Sequence, residues 1–520
     1  MSDETITFLV LGVVVAVFIW DRLPVAAVAL GTALSLWATG VLDLDQALAG
    51  FGDPTVIFIA SLFVVSEALD ATGVTAWVGQ ELIEPAGESR VRVLILMLLL
   101  VAVVTALISV NGSVAALLPV VALMAVRLRT SPSQLLLPLA FGAHAGSLLV
   151  LTGSPVNVIV SEAADDAGVG RFGFFEFALV GLPLVAGTIA IIVLFGERLL
   201  PDRKVRSMTR DFSDLAHTLV DQYALDADPG GLVSRHSGVA EVLVPPRSAL
   251  IGETVFPGMI TDSGDLVVLA VQRKGEDLLG ESELAVGDTL LLQGTWSALE
   301  YHLHDPEVVV VDQPALVRRQ AVRFGPGAKR ALVVLAAMVV LLATGVLPPV
   351  VAGLLAAGAI VVSGVLTMEQ AYRGIAWTTV ILVAGMIPLS TAMVETGAAQ
   401  TLADNLIDIV GGQGPYVLVL ALVLLTFALG QLISNMATAL IVIPVAVSAA
   451  ADLDVSAKPV LMAVCVASAA AFLTPVATPA NLMVMDPGGY RFGDYWKLGL
   501  PLLTLFGIVA VLLVPVIWSF

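Results

Sequence analysis

Long apolar runs alternate along the chain with short polar punctuation. A bilayer core about 30 Å thick takes roughly 20 apolar residues per helical crossing. Runs at 6–20, 23–39, 54–69, 91–108, 114–126, 134–151 and 174–199 fill the first part of the chain. Runs at 331–346, 348–364, 374–393, 415–432, 437–450 and 496–518 fill the last. Four polar breaks fall within apolar sequence rather than between runs. They are Ser109-Val110-Asn111-Gly112-Ser113, Thr152-Gly153-Ser154-Pro155-Val156-Asn157, the stretch around Ser434-Asn435-Met436-Ala437-Thr438, and Thr474 through Thr478-Pro479-Ala480-Asn481. An unpaired amide in hydrocarbon costs several kcal/mol, so irregular backbone at membrane depth is tolerated where it is buried in protein or lines a site. The arm at 114–126 is too short to span comfortably and predicts a re-entrant hairpin.

The breaks recur in register. Residue n pairs with residue n+324: Pro24 with Pro348, Gly40 with Gly364, Gln46 with Gln370, Gly73 with Gly397, Asn111 with Asn435, Pro155 with Pro479, and Asn157 with Asn481. The offset then slips slightly, so that Arg171-Phe172-Gly173 matches Arg491-Phe492-Gly493. A nearly constant offset over so long a stretch predicts two structural repeats, and paired broken segments in a repeat point to a transporter's binding site. Five crossings and one hairpin per repeat is an odd count of crossings, so the repeats must be inverted.

Charge orients this arrangement. With the N-terminus outside, the inner loops receive Arg22, Arg90, Arg92, Arg127, Arg129, Arg198, Arg373, Arg491 and Lys497, while the outer loops keep Arg171 and Lys458. That is a positive-inside pattern. It places both termini outside the cytoplasmic membrane and residues 202–328 in the cytoplasm. No cleavable signal is evident near Met1, so the first run reads as a retained span.

Residues 202–328 differ in texture. A linker at 202–231, with an amphipathic stretch ending near Tyr223, precedes strand-like runs at 240–244, 266–271 and 289–293, separated by turn residues. These predict a small β-rich domain at 232–314, followed by a basic linker at 315–328. The membrane repeats are then 1–201 and 329–520. The fold expected is an all-α polytopic membrane protein of two inverted repeats, each with five spans and one re-entrant hairpin, carrying one inserted cytoplasmic domain. Residues 70–90 are mixed and predict a short interfacial helix.

Composition narrows the function. Hydrophobic residues make up 58% and charged residues 13%, against about a quarter charged in soluble domains. The net charge of −19 argues against nucleic acid as a partner. Cys465 is the only cysteine, which excludes an intramolecular disulfide. The sequence holds no phosphate-binding Gly-Lys loop, no His-Glu-x-x-His motif and no nucleophile elbow, so ATP drive and enzymatic chemistry are not expected, and no cofactor is called for.

The hairpin and break motifs resemble those of the divalent anion/sodium symporters, which carry dicarboxylates and sulfate. That family has a Ser-Asn-Thr motif at each hairpin tip and a Gly-Thr-Pro-Pro-Asn-like motif in each following broken span. Ser434-Asn435-Met436 and Thr478-Pro479-Ala480-Asn481 match best; Val110-Asn111-Gly112 and Gly153-Ser154-Pro155-Val156-Asn157 are the first-half counterparts. Gly112 and Met436 stand where the family has threonine. The resemblance implies sodium held by Ser109, Asn111, Thr152, Gly153 and Asn157 in one half, and by Ser434, Asn435, Thr474 and Asn481 in the other. It implies an anionic substrate at Asn111, Gly112, Ser113, Ser154, Asn435, Met436, Thr438, Thr478 and Pro479, and a homodimer. Glu241-Val242-Leu243-Val244, Ser248-Ala249-Leu250-Ile251-Gly252 and Val286-Gly287-Asp288-Thr289-Leu290 resemble the TrkA-C domain of potassium-conductance regulators, which implies a small effector on 232–314.

Elementary chemistry runs beside the resemblance. A helix beginning inside the membrane offers free amide donors and partial positive charge to an anion. Asparagine amides can serve an anion and a cation alike. A buried asparagine is also common helix–helix glue, a reading that the matched spacing of four breaks weakens. His144 is open to two readings, a packed, hydrogen-bonded histidine or a group that touches substrate or couples protons. The leading function is secondary active transport of a small divalent anion, sodium-coupled, by alternating access across the lipid bilayer. A proton-coupled exporter or exchanger of another oxyanion or weak acid is the alternative, and a channel-like protein gated by its cytoplasmic domain is a third.

Overall fold

The computed structural model describes residues 2–20, 22–74, 77, 89–127, 130–203, 219, 223, 232, 237–278, 280–303, 307–311, 324–410, 414–475 and 477–520. The interfacial helix expected at 70–90 and the linker helix before Tyr223 lie largely outside these residues. The chain divides into two compact units, one of Met1–Ala68, Gly79–Thr209 and Arg330–Phe520, the other of Leu69–Val78 and Arg210–Lys329.

The larger unit is helical. Its first half runs α1 (Asp3–Trp20), α2 (Val25–Ala38), α3 (Leu44–Leu48), α4 (Pro54–Ala71), α5 (Arg90–Leu107), α6 (Val110–Arg127), α7 (Leu136–Gly146), α8 (Pro155–Asp166) and α9 (Ala178–Leu199). Seven helices among the described residues are long and apolar enough to cross a membrane, and four apolar helices are shorter. A helix satisfies its own backbone, which is what lets these sequences sit in hydrocarbon; eighteen residues in α1 extend about 27 Å.

After the smaller unit, which contributes the short helix α10 (Trp296–His302), the second half runs α11 (Ala328–Thr344), α12 (Pro349–Val362), α13 (Met368–Gly374), α14 (Trp377–Glu395), α15 (Ala398–Val410), α16 (Pro415–Gly430), α17 (Asn435–Asp452), α18 (Ala457–Ala469), α19 (Pro479–Met483), α20 (Met485–Gly488) and α21 (Tyr495–Ile508). A π-helical stretch at Val509–Leu513 leads from α21 into a last turn at Val514–Ile517. The amphipathic α15 is not among the runs read from sequence. Gln400, Asp404 and Asn405 lie exposed on its polar face, so its apolar residues never form a continuous run.

Local chemistry repeats between the halves. Asp43 caps α3 and Gln46 returns the bond, Gln46 N donating at 2.8 Å and Asp43 N at 3.0 Å. Thr367 and Gln370 make the same reciprocal box on α13, at 3.2 and 2.9 Å. Gly40 and Gly364 precede these boxes with φ of 76° and 69°, a conformation cheap only for glycine. Helix crossings repeat as well. A Cβ on Gly385 would stand 2.7 Å from the backbone carbon of Ala29, and one on Gly353 would stand 2.2 Å from Ser61 Oγ. Small residues at matched sites thus let α14 approach the backbone of α2, and let α12 pack closely on the Ser61 and Phe58 side chains of α4.

Two polar ties join the halves near helix ends. Tyr490 donates to Ser133 O at 2.6 Å and accepts from Leu137 N at 2.8 Å, while Arg203 pairs with Asp494 at 2.7 Å. Glu176 accepts from Trp518 Nε1 at 2.8 Å and faces Lys458 Nζ at 3.3 Å.

The smaller unit holds a five-stranded antiparallel sheet in the order β4-β3-β6-β1-β7, from β1 (Ser237–Leu243), β3 (Leu266–Arg273), β4 (Glu276–Asp277), β6 (Thr289–Thr295) and β7 (Val309–Val310). A two-stranded ribbon pairs β2 (Thr254–Val255) with β5 (Ser282–Glu283). Alternate residues Ala240 and Val242 of β1 and Leu290 and Leu292 of β6 share a core with Val244 and Trp296. Gly238 leaves room for the Trp296 ring, which a Cβ there would meet at 2.2 Å. Asp288, fully buried, forms an ion pair with Arg273 at 2.7 Å. The chain is therefore a polytopic, all-α membrane protein with an inserted β-sheet domain.

Candidate functional site

The first hairpin break is narrower than the sequence suggested. Helix α5 ends at Leu107 and α6 begins at Val110, so Asn111, Gly112 and Ser113 form the first helical turn rather than a loop. Ser109 makes this possible by accepting a bond from Gly112 N at 3.1 Å, as an N-cap does. In the second half Ser434 accepts from Ala437 N at 3.3 Å, and Asn435 opens α17. Ser109 thus does in one half what Ser434 does in the other, although the strict 324-residue register sets Val110 opposite Ser434.

Asn111 is exposed and Asn435 half-buried, its Oδ1 accepting from Met436 N at 2.9 Å. Ser113 is buried against Thr105, their hydroxyls 2.5 Å apart. Gly112 fits closely, since a Cβ there would approach Ile108 Cγ2 to 2.9 Å and Ser66 Oγ to 3.8 Å. Thr438, fully buried, leaves its hydroxyl without a hydrogen-bond partner among the described residues.

Each second break is tied to its own hairpin by a threonine. Thr152 Oγ1 donates to Ala106 O at 3.2 Å, and Thr474 Oγ1 donates to Gln431 O at 3.1 Å. Gln431 adds two bonds from its side chain, Nε2 to Ala470 O at 2.9 Å and Oε1 from Leu473 N at 2.8 Å. Leu107 occupies the position 324 residues earlier, so this double bracing belongs to the second half. The bracing role of Gln431 is set by the fold, which brings Ala470, Leu473 and Thr474 to it.

Ser154 and Thr478 cap the helices that leave the breaks, accepting from Val156 N at 3.2 Å and Asn481 N at 3.4 Å. Pro155 and Pro479 follow at the first helical position, where a missing N–H costs nothing. Gly153 is held tightly, because a Cβ would stand 2.3 Å from Ser147 O. Behind each cap an asparagine is buried. Asn157 Nδ2 donates to Ser147 O at 2.8 Å and Val150 O at 2.9 Å. Asn481 Nδ2 donates to Ala471 O at 2.7 Å and Thr474 O at 3.1 Å. Both amides are fully engaged inside the protein, whereas Asn111 and Asn435 sit at the hairpin tips. The expected site residues therefore fall into a tip and a closed brace in each half, and at the tips Asn111 is exposed and Asn435 half-buried while Ser113 and Thr438 are buried.

His144 is buried on α7, with Nε2 3.3 Å from Asn481 Oδ1 and 3.2 Å from Thr478 Oγ1. Cys465 on α18 donates its S–H to Asn157 Oδ1 at 3.3 Å. It is buried, and it carries this bond across the halves. Among the described residues no group of three or more His, Cys, Asp or Glu side chains could hold a metal ion.

Known proteins agree with a transporter. The chain is 30% identical over 612 residues to the uncharacterized transporter YfbS of Escherichia coli, covering 100% of both. Distant homology extends to sodium/anion carriers: sodium/sulfate cotransporter 1 of Chlamydomonas reinhardtii is 27% identical over 310 residues, 56% of this chain and 34% of that protein. The crystal structure of the Alcanivorax borkumensis YdaH transporter covers 97% of this chain and 99% of its own, with a TM-score of 0.50 and 14% identity, a likeness of fold alone. The family profile described as citrate transporter matches residues 15–467 and 390–520. These matches lead to one conclusion: the chain belongs to the citrate transporter family of membrane transporters.

Proposed function

We propose that this protein is a sodium-coupled secondary transporter of a small divalent anion, sulfate or a dicarboxylate, working by alternating access. The single observation that carries the reading is the paired construction of hairpin tip and braced break, with Thr152 tied to Ala106 and Thr474 tied to Gln431. Two 18-residue helices, α6 and α17, begin at polar tips within apolar sequence. Their free N–H groups and dipoles suit an anion, and the carbonyls ending the preceding arms suit a small cation.

Asn111, Gly112, Ser113, Ser154, Asn435, Met436, Thr438, Thr478 and Pro479 would face the substrate. Ser109, Asn111, Thr152, Gly153 and Asn157, then Ser434, Asn435, Thr474 and Asn481, would make two sodium loops, in which Asn157 and Asn481 act by shaping the loop. The repeats are proposed as inverted, with re-entrant hairpins, both termini outside and 202–328 cytoplasmic. The domain at 232–314 is proposed as TrkA-C-like and effector-binding, and the assembly as a homodimer. The sodium coupling draws on the chain's similarity to the sodium/sulfate cotransporters of Chlamydomonas reinhardtii.

The test is uptake of labelled sulfate, succinate and citrate into proteoliposomes under sodium, potassium or proton gradients. Sodium-driven, saturable uptake against a gradient supports the reading. Uptake driven by protons and indifferent to sodium replaces it with proton coupling, and non-saturable flux replaces it with a channel.

A further inference from the structure

Each brace asparagine is held on one side by its own half of the chain and on the other by the opposite half. The carbonyls of Ala471 and Thr474 only accept, so they fix the NH2 group of Asn481 and turn its Oδ1 the other way. That oxygen meets Nε2 of His144, 337 residues earlier in the chain. An amide oxygen also only accepts, so Nε2 carries the hydrogen, shared with Thr478 Oγ1. The ring packs edge-on against Phe472, their centroids 5.8 Å apart, and Nδ1 has no hydrogen-bond partner among the described residues.

We propose that His144 is a positioning residue for the second break. Through one N–H it sets Asn481 and Thr478 together, and with them the 474–481 loop, from the first half of the chain. The inference rests on the transport reading above, which assigns that loop to the coupling ion and the anion.

Two features favour a fixed donor over a proton carrier. A carrier needs an exchange partner at the nitrogen that gains and loses its proton; Nε2 is committed to two acceptors, and Nδ1 faces no described donor or acceptor. The matching brace makes the same point independently. Asn157 Oδ1 receives its cross-half bond from the thiol of Cys465, which supplies a hydrogen and no imidazole chemistry. What the two braces share is a single donor reaching over from the other half.

The experiment compares His144→Gln, His144→Asn and His144→Ala in the full-length chain. Glutamine can bring an amide N–H to about the position of Nε2 but cannot carry a proton at neutral pH. Asparagine is one carbon shorter and falls short. Backbone hydrogen–deuterium exchange across 471–484 in detergent reads the loop directly. His144→Ala and His144→Asn should speed it, and His144→Gln should hold it near wild type. In proteoliposomes under a sodium gradient, with sulfate, succinate and citrate as probes, His144→Ala should raise the KM for sodium about tenfold, the factor carried by one net hydrogen bond of about 1.4 kcal/mol. Vmax should change by less than about threefold, as for a lost ground-state positioning contact. His144→Gln should restore the KM. Loss of uptake in His144→Gln to the level of His144→Ala, or unchanged exchange in His144→Ala, would overturn the proposal. If wild type takes up none of the three probes, the substrate reading fails, and the exchange comparison still decides the role of His144.

Discussion

Asn157 and Asn481, 324 residues apart in the chain, occupy the same local structure. Each donates twice to carbonyls ten and seven residues before it, and each turns its oxygen to a donor on the opposite half. The register read from the sequence is therefore matched by hydrogen bonding. The same side chain closes the same loop in both halves, while the donor that completes it differs.

Replacing either brace asparagine by aspartate should harm the protein more than replacing it by alanine. Alanine leaves two loop carbonyls unsatisfied, at about 1–3 kcal/mol for each buried group. A carboxylate would face those carbonyls oxygen to oxygen. Thermal unfolding in detergent should rank wild type above Asn481→Ala and Asn481→Ala above Asn481→Asp, and equal stability of the last two would contradict the hydrogen-bond assignment.

At Cys465 the relevant property is the hydrogen. Cys465→Ser keeps a donor of similar size and should retain the melting temperature within a few degrees. Cys465→Val fills the space but leaves Asn157 Oδ1 unpaired, and should cost about 1–3 kcal/mol. Because Cys465 is buried, maleimide should label the native protein slowly and the denatured protein fully. A melting point for Cys465→Val equal to wild type would show that the bond carries no stability.

The hairpin tips should behave differently from the braces. Asn435 is half-buried and its contact is local, so Asn435→Ala should fold with nearly wild-type stability yet lose uptake at least about tenfold, a loss near 1.4 kcal/mol in productive binding. Asn111→Ala should behave in the same way. Unchanged sodium-dependent uptake in both variants would remove the tips from the site.

Two glycines separate backbone from side-chain crowding. Gly385→Ala presses on the carbonyl group of Ala29, whereas Gly353→Ala first meets the Ser61 hydroxyl and the Phe58 ring. Side chains can turn aside and backbone cannot. Gly385→Ala should therefore lower the melting temperature more, against about 1–3 kcal/mol as the usual range for overpacking. The reverse order would mean that the α2–α14 crossing is looser than its geometry.

In the β domain, the hydrogen bond from Arg273 holds the Asp288 carboxyl below its ordinary value, with burial working against it and a bond from Ala285 N working for it. A depressed folded value stabilises the domain at neutral pH, and that contribution is lost as pH falls through the folded value. Hydrogen exchange of 237–303 in the full chain should accelerate below the ordinary aspartate range. Asp288→Asn should exchange faster at neutral pH and show a weaker acid response. An identical acid response in wild type and Asp288→Asn would assign it to other carboxylates.

How much of this was legible in the linear chain differs from one element to the next. Apolar run length located the helices, because burying a backbone in lipid demands helix wherever side chains are apolar. The 324-residue register located both asparagine pairs, because matching loops need matching turn chemistry. Alternation and turn residues located β1, β3 and β6. Helix α15 escaped, since an amphipathic stripe makes no apolar run, and the start of α6 was placed at 114 rather than Val110 because the polar Asn111, Gly112 and Ser113, capped by Ser109, form a helical turn and not a loop.

Sequence by itself therefore determined most of the long apolar helices, the 324-residue register, strands β1, β3 and β6 and the polar residues at the breaks, all consequences of local hydrophobicity and backbone preference. Only the tertiary structure decided what those residues do. It divided four similar asparagines into two at the tips and two at closed braces, and it joined His144 to Asn481 and Cys465 to Asn157. The reason is physical: hydrophobic burial and capping act within a few residues and leave a local signature, whereas the partner of a buried amide is chosen by whichever distant helix packs against it.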